Sequence, residues 1–162
     1  MIATAPSTAV LALQRGYKTG DYLLEKNLEG ITEERAASRS RPDMNNIVWL
    51  VGHVAYWRHE AANELGVAGN DELPDLSRFK GVVWGTPADT TGWSLRDVVQ
   101  LAGTGMARVT EGFATNTIAR GDITAIERLT VLLIHEGYTL GQIAELRRLM
   151  GLEGAIGRQP AT

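Results

Sequence analysis

Hydrophobic residues recur at helical spacing in four long segments of the chain, separated by polar or glycine-rich stretches. In the first segment Val10, Leu13, Tyr17, Leu24 and Leu28 follow one another at intervals typical of an amphipathic helix. The pattern predicts four helices, over about residues 7–29, 44–65, 94–115 and 123–150.

Residues that begin and end helices stand at the edges of these segments. Side chains suited to cap a helix N-terminus are Ser7 or Thr8, Asp43, and Ser94 with Asp97 three residues later. Glycines suited to end a helix follow the first, second and fourth segments, at Gly30, Gly66 and Gly151. Local chemistry and periodicity therefore predict the same boundaries.

The segment between the second and third helices, residues 67–93, has no helical period and is rich in Gly, Pro, Asp and Thr. A connection of this length is uncommon and usually has a function. Four long helices with one long crossover are typical of a four-helix bundle, an all-α fold. The 162 residues suffice for one domain, which we expect over residues 1–152, with a disordered tail at 153–162.

Composition excludes several classes of site and partner. The chain has no cysteine, so it has no disulfide or thiolate metal ligand, and thiol chemistry would need an external low-molecular-weight thiol. Its net charge of −3 gives no general attraction to nucleic acid, and the run of Arg35, Arg39 and Arg41 is typical of a solvated loop. No apolar stretch approaches the ~18 to 20 residues of a membrane span, and the N-terminus lacks the basic start of a signal peptide. We therefore expect a cytoplasmic protein with no nucleic-acid or membrane partner.

Two of the three histidines, His53 and His135, lie on helix faces that we expect to meet in the bundle. At 100° per residue His59 points about 120° away from His53, so these two cannot easily serve one site. The residues that share the His53 face are Asn46, Trp49, Leu50, Trp57, Glu60 and Glu64. Those that share the His135 face are Arg128, Val131, Leu132, Thr139, Gln142 and Leu146. We expect a pocket between the two faces, lined by Trp49, Trp57, Glu60 and Gln142.

Each of these features also has a purely structural interpretation. Partly buried histidines are often hydrogen-bonded to neighbours or water, and the four tryptophans, including Trp84 and Trp93 in the long connection, can simply fill the core. Gly137 and Gly141, opposite His135 on the last helix, each cost about 1 kcal/mol relative to Ala. Close approach of another helix, from the same chain or a dimer partner, would offset that loss.

Two segments together resemble the DinB/YfiT-like superfamily: MNNIVWLVGHVAYWRHEAANELG in the second helix and HEGYTLGQIAELRRLMG in the fourth. The likeness extends to LQRGYKTGDYLLEKNLEGIT in the first helix and WSLRDV at the start of the third. The resemblance implies an up-down-down-up bundle and frequent homodimers. Many members of the family hold a divalent metal with three histidines, so the resemblance also implies a possible site for an ion such as Zn, Ni, Mn or Fe.

The metal-ligand positions of the family fall on His53 and His135 in this sequence, but the third position holds Thr139. A hydroxyl is a much poorer donor to such a metal than a neutral imidazole. A carboxylate from another helix, such as Asp21 or Glu111, would be needed to restore a three-ligand site.

Three functions are compatible with the sequence. The resemblance implies a metal-dependent thiol S-transferase or hydrolase with an atypical metal site, in which Thr139 would at most bond to the metal-bound water or thiolate. The second is a metal-free protein that binds an unknown small molecule, or an enzyme in which His53 or His135 is a general base. The third is a dimeric scaffold whose interface includes Gly137 and Gly141. No residue identifies the substrate.

Overall fold

The described part of the chain is all-helical. The computed structural model describes residues 6–67, 74–81, 86–115 and 123–156. Its five α-helices are α1 (Thr8–Leu28), α2 (Glu33–Ala37), α3 (Ile47–Glu64), α4 (Leu95–Thr115) and α5 (Ile123–Leu149). A short 3-10 turn covers Ser77–Phe79, and no strand occurs within the described residues. Trp84 lies outside them, as do residues 157–162 of the predicted tail.

Most helix ends lie where the sequence predicts them. The Ser7 hydroxyl accepts a hydrogen bond from the Val10 amide and caps α1. Ser94 and Asp97 form a reciprocal capping box, since each side chain accepts from the other residue's backbone N–H. The glycines that follow α1, α3 and α5 have positive φ angles, which other residues rarely adopt: Gly30, Gly66 and Gly151.

The predicted start of α3 is wrong by three residues. The cap is Asn46, whose side-chain oxygen accepts from the Trp49 amide at 2.9 Å, and not Asp43. The Asn46 amide group also donates to the Ala37 carbonyl and the Thr90 hydroxyl. These bonds hold Asn46 between the last residue of α2 and the segment that precedes α4. Asp43 instead forms an exposed ion pair with a neighbouring arginine.

The predicted polar connection after α1 contains a helix, α2, that the periodicity did not indicate. The Thr32 side chain caps it, and its Glu33 carboxylate reaches across to the first turn of α4. There the two oxygens accept from the backbone amides of Leu95 and Arg96, at 2.6 and 3.1 Å. The carboxylate satisfies two amides that a helix N-terminus leaves without intrahelical partners.

The core consists of two apolar clusters. One contains Trp49, Val98 and Ile143, and the other contains Tyr17, Leu65 and Leu129. Helices α3 and α4 pack together, α5 packs on both α1 and α3, and the 3-10 turn packs on α3. No helix in the described ranges combines the length and apolarity needed to cross a lipid bilayer.

A buried ion pair separates the two clusters. Arg58 of α3 is fully buried and bonds to Glu136 of α5 at 2.7 Å, and Glu136 is only 2% exposed. Arg58 also bonds to Asp21 of α1 and to the Ala102 carbonyl of α4. One guanidinium thus joins all four long helices.

Candidate functional site: a histidine pair

The structure brings His53 of α3 and His135 of α5 into direct contact. Their Nε2 atoms are 2.7 Å apart, and their ring centroids are 4.9 Å apart. His53 is buried, whereas His135 is half-buried. Two residues 82 positions apart in sequence therefore form one polar centre.

The 3-10 turn orients His53. The Phe79 carbonyl oxygen lies 2.5 Å from His53 Nδ1. The Phe79 ring packs directly on Gly52, where a Cβ atom would overlap it. Sequence reasoning missed this role of Phe79, and Gly52, inside the apolar run of α3, was the available signal that another group approaches there closely.

Two predicted pocket residues, Trp49 and Trp57, enclose His53. The Trp57 indole N–H donates to His53 Nε2 at 3.2 Å, and its ring contacts that of His135. Trp49 stacks on the His53 ring at 4.6 Å and donates its indole N–H to the Arg78 carbonyl. Trp49 is also 96% buried, so it belongs to the core as well as to the site.

These contacts determine where the protons of the pair lie. A carbonyl only accepts, so His53 Nδ1 carries the hydrogen, and in the neutral ring Nε2 is an acceptor. His135 Nε2, at 2.7 Å, must then donate, which leaves the lone pair of His135 on Nδ1. The geometry therefore gives the two rings opposite tautomers.

The surroundings of His53 favour its neutral form. Burial lowers the pKa of His53, and the proximity of His135 lowers it further, while the hydrogen bond to the Phe79 carbonyl acts in the opposite direction. The net shift of the pKa is downward. His53 is therefore an uncharged acceptor at neutral pH.

The residues as placed do not fit a three-histidine metal centre. Two imidazole nitrogens on one tetrahedral Zn²⁺ stand about 3.3 Å apart at Zn–N distances of 2.0–2.1 Å, which exceeds the 2.7 Å observed. The His53 lone pair that would bind the ion already accepts from Trp57. Thr139, at the third position, is buried and donates its hydroxyl to the His135 carbonyl.

The carboxylates that could have replaced the third ligand lie elsewhere. Asp21 bonds to Arg58 at 2.7 Å, and Glu111 is exposed on α4. Within the described ranges, no three His, Cys, Asp or Glu side chains form a group able to hold a metal ion.

A cavity of about 320 Å³ that is open to solvent lies between α3 and α5. Val131 and Leu132 line it together with Trp57, and the predicted pocket residue Glu60 is also part of its wall. Gln142 is exposed on α5 and is not among the residues that line this cavity. Trp93 packs edge-on against Phe79, and so supports the turn that holds His53.

His59 belongs to a separate polar cluster, as its helical position predicts. Its Nδ1 accepts from Arg108 at 2.6 Å, and its Nε2 donates to the Leu101 carbonyl. Arg108 and the buried Arg58 and Glu136 were not predicted from the sequence as functional residues. A charged residue such as Arg58 in the apolar α3 segment was the signal, because buried charges are nearly always paired.

Comparison with known proteins gives a family but no individual relative. A family model described as the DinB superfamily matches residues 18–143, which include both histidines. Members of this superfamily are generally associated with metals. No curated protein matches the chain. Nor does any solved structure.

Proposed function

The chain belongs to the DinB superfamily, and we propose that it is a metal-independent member whose His53–His135 pair is an acid–base site for a small molecule. The observation that carries this proposal is the 2.7 Å contact between the two Nε2 atoms, with Trp57 donating to the same nitrogen of His53. The two Nε2 atoms that would bind a metal are thereby engaged with each other, one as acceptor and the other as donor.

The chemistry of the pair follows from its tautomers. His53 accepts the Nε2 proton of His135 and so keeps the His135 Nδ1 lone pair available in a half-buried position. When Nδ1 takes a proton, His53 Nε2 stabilises the imidazolium by accepting from its other N–H. A base in this position can activate water, as in a hydrolase, or an external thiol, as in a thiol S-transferase.

The tautomers of the two rings provide the direct test. Long-range ¹H–¹⁵N NMR of the chelator-free protein should show His53 protonated at Nδ1 and His135 at Nε2. A metal bound by both Nε2 atoms would instead require both rings to be protonated at Nδ1. That second pattern, with metal present at one equivalent, would refute the proposal.

One observation favours the metal-dependent alternative. Histidines that bind metals usually donate their other N–H to a carbonyl or carboxylate, as His53 does to Phe79. In this alternative His53 and His135 hold a Zn, Ni, Mn or Fe ion, with solvent or an external thiol as the remaining ligands. Calorimetric titration with Zn²⁺ distinguishes the two, because only this alternative predicts tight binding that is lost in both His53→Ala and His135→Ala.

We infer that the four long helices form the up-down-down-up bundle of the family. Along α1 and α5 the numbers of the residues in contact rise together, from Gly16 with Leu133 to Asn27 with Arg147, so these two helices run in the same direction. Contacts between α3 and α5 run in opposite directions, from residues 53 and 135 to residues 64 and 128. Those between α3 and α4 advance together, from residues 58 and 102 to residues 65 and 112. This order supports α1 and α5 in one direction and α3 and α4 in the other.

We further propose that the chain forms a homodimer through the outer face of α5. Ile134 and Tyr138 are each 67% exposed there. Nothing lies within 4 Å of a Cβ placed on Gly137 or Gly141, so no other described part of the chain approaches these glycines. Sedimentation should show a dimer that Ile134→Glu dissociates, with Glu111→Gln on the exposed surface of α4 as the control, whereas a monomeric wild-type protein would contradict the proposal.

A further inference from the structure

The cavity beside Trp57 combines an apolar wall with an excess of negative charge. Trp57, Val131 and Leu132 provide the apolar surface, and the remaining lining residues are charged. We propose that this cavity binds an organic cation, a primary ammonium group carried on an apolar body. The inference goes beyond the acid–base site proposed above, with which the cavity shares Trp57 but neither histidine.

The charge of the lining is the first reason. It includes three carboxylates, Glu60, Glu64 and Glu127, and one guanidinium, Arg128, which gives a net charge of −2. Arg128 bonds to both oxygens of Glu64, at 3.1 and 3.2 Å, so that pair is neutral as a unit. Among the described residues no cationic side chain forms an ion pair with Glu60 or Glu127, and Glu60 accepts a neutral hydrogen bond from the Asn63 amide.

The apolar wall is the second reason, because it decides what kind of cation fits. A hydrated inorganic ion would gain nothing from Val131 and Leu132, whereas a hydrocarbon body buries its surface against them. The half-buried Trp57 indole adds an aromatic group, which attracts ammonium groups placed over its ring. The volume of about 320 Å³ is within the range of small-molecule sites.

Position relates the cavity to the histidine pair. Trp57 is shared by both, since it lines the cavity and donates to His53. Val131 stands one helical turn before His135 on α5. The cavity therefore adjoins the histidine pair through Trp57. The net negative charge of the lining disfavours an anionic ligand of the same shape.

Three compounds with one carbon skeleton test the proposal: 3-phenylpropylamine, 3-phenylpropan-1-ol and 3-phenylpropanoate. Binding is followed by ¹H–¹⁵N NMR at the Trp57 indole N–H, which is assigned by its absence in Trp57→Phe. The amine should bind at least about tenfold more tightly than the alcohol, and the carboxylate more weakly than either. Failure of the amine to bind, or equal binding of amine and alcohol, would overturn the proposal.

Variants establish that the carboxylates cause the preference. In the double variant Glu60→Gln/Glu127→Gln the amine should bind no more tightly than the alcohol, while the affinity for the alcohol stays the same. Glu145→Gln, on an exposed part of α5 outside the lining, is the matched control and should keep the preference. A preference that survives the double variant would also overturn the proposal.

The same spectra separate this inference from the proposed acid–base site. Amine selectivity in a protein whose two histidines are both protonated at Nδ1 would support the cation cavity and refute the acid–base pair. Opposite tautomers without amine selectivity would support the pair and refute the cation cavity.

Discussion

His53 is a buried imidazole whose ring lone pair, on Nε2, accepts hydrogen bonds from two donors. Trp57 and His135 both approach its Nε2, at 3.2 and 2.7 Å. Protonation at Nε2 would place a hydrogen against both N–H groups and a positive charge in a largely apolar setting. The neutral ring is thus a condition for the observed packing, and the stability of the fold should depend on it.

Acid should destabilise the protein from about pH 6.5 downward. His53 and His59 both have pKa values below the ordinary 6.5, the second because of burial and then the charge of Arg108. Below pH 6.5 the unfolded chain therefore binds more protons than the folded protein does. The free energy of unfolding keeps its full value above this pH and decreases as the pH is lowered towards the pKa values of the folded state. Urea denaturation at a series of pH values measures the loss.

The histidine resonances check the cause of this loss. In the folded protein the Cε1–H signals of His53 and His59 should titrate below pH 6.5, and in urea they should titrate near 6.5. Midpoints at or above 6.5 in the folded protein would show that burial does not control these rings.

Gly52→Ala should destabilise the fold even though alanine favours helix. The added methyl group would overlap the Phe79 ring, and displacing that ring moves the carbonyl that holds His53. We expect a loss of about 1–3 kcal/mol from the strain, larger than the gain of about 1 kcal/mol in helix propensity. Thermal or urea unfolding measures it.

Gly103→Ala is the matched control, since no other described part of the chain comes within 4 Å of a Cβ at that position on α4. It should be neutral or stabilising by up to about 1 kcal/mol. Equal effects of the two substitutions would mean that Phe79 does not pack on Gly52 as described.

At the level of the helix, α2 caps the N-terminus of α4 through one side chain. Glu33 closes the first turn of α4 by accepting from two of its backbone amides. Glu33→Ala should lower the free energy of unfolding by about 0.5–2 kcal/mol, the range for loss of a helix cap. Glu34→Ala, the next residue in the same first turn of α2, controls for the change in charge and helix propensity and should have a smaller effect. Equal effects would argue against the cap.

The sequence predicted the four long helices because their period and their glycine ends are local properties. It missed α2, since five residues are too few to show a period. It also chose Asp43 over Asn46, because that choice depends on bonds to Ala37 and Thr90, which lie in other parts of the fold.

The candidate site, too, was predicted from the sequence only in part. Helix geometry and the family resemblance predicted that His53 and His135 share a pocket, and the structure places them in contact. The tautomers could not be predicted, because they depend on the Phe79 carbonyl, 26 residues from His53 across a segment without periodicity. Gln142 was assigned to the pocket by its angle on the helix alone, and it is exposed.

Across the whole molecule, the ion pair of Arg58 and Glu136 fixes how the long helices stand relative to one another. Arg58 directly follows the site residue Trp57 in the sequence of α3, and Glu136 directly follows His135 in α5. Gly20 of α1 makes room for the carboxylate, because a Cβ there would lie 2.7 Å from a Glu136 oxygen. The fold therefore specifies a charge in the middle of its core, and with it the register of the two helices that carry the histidines.

Removing either charge alone should be costly. Arg58→Met leaves a buried carboxylate without its cation, and Glu136→Leu leaves the guanidinium with the half-exposed Asp21 and a neutral carbonyl. We expect each single variant to lose about 3–5 kcal/mol, the range for breaking a buried pair. The double variant should lose much less than the sum, because no buried charge then lacks a partner. Urea denaturation of the four proteins measures the coupling.

The exposed pair of Arg41 and Asp43 provides the control for this cycle. Both side chains are more than half exposed, so Asp43→Asn should leave the denaturation midpoint unchanged. If the ion pair sets the register of α3 and α5, Arg58→Met should also shift the NMR signals of the His53 and His135 rings, although the hydrogen bonds of Arg58 go to Glu136, Asp21 and Ala102. Additive losses in the cycle, with unchanged histidine signals, would mean that the two clusters of the core align the helices without the ion pair.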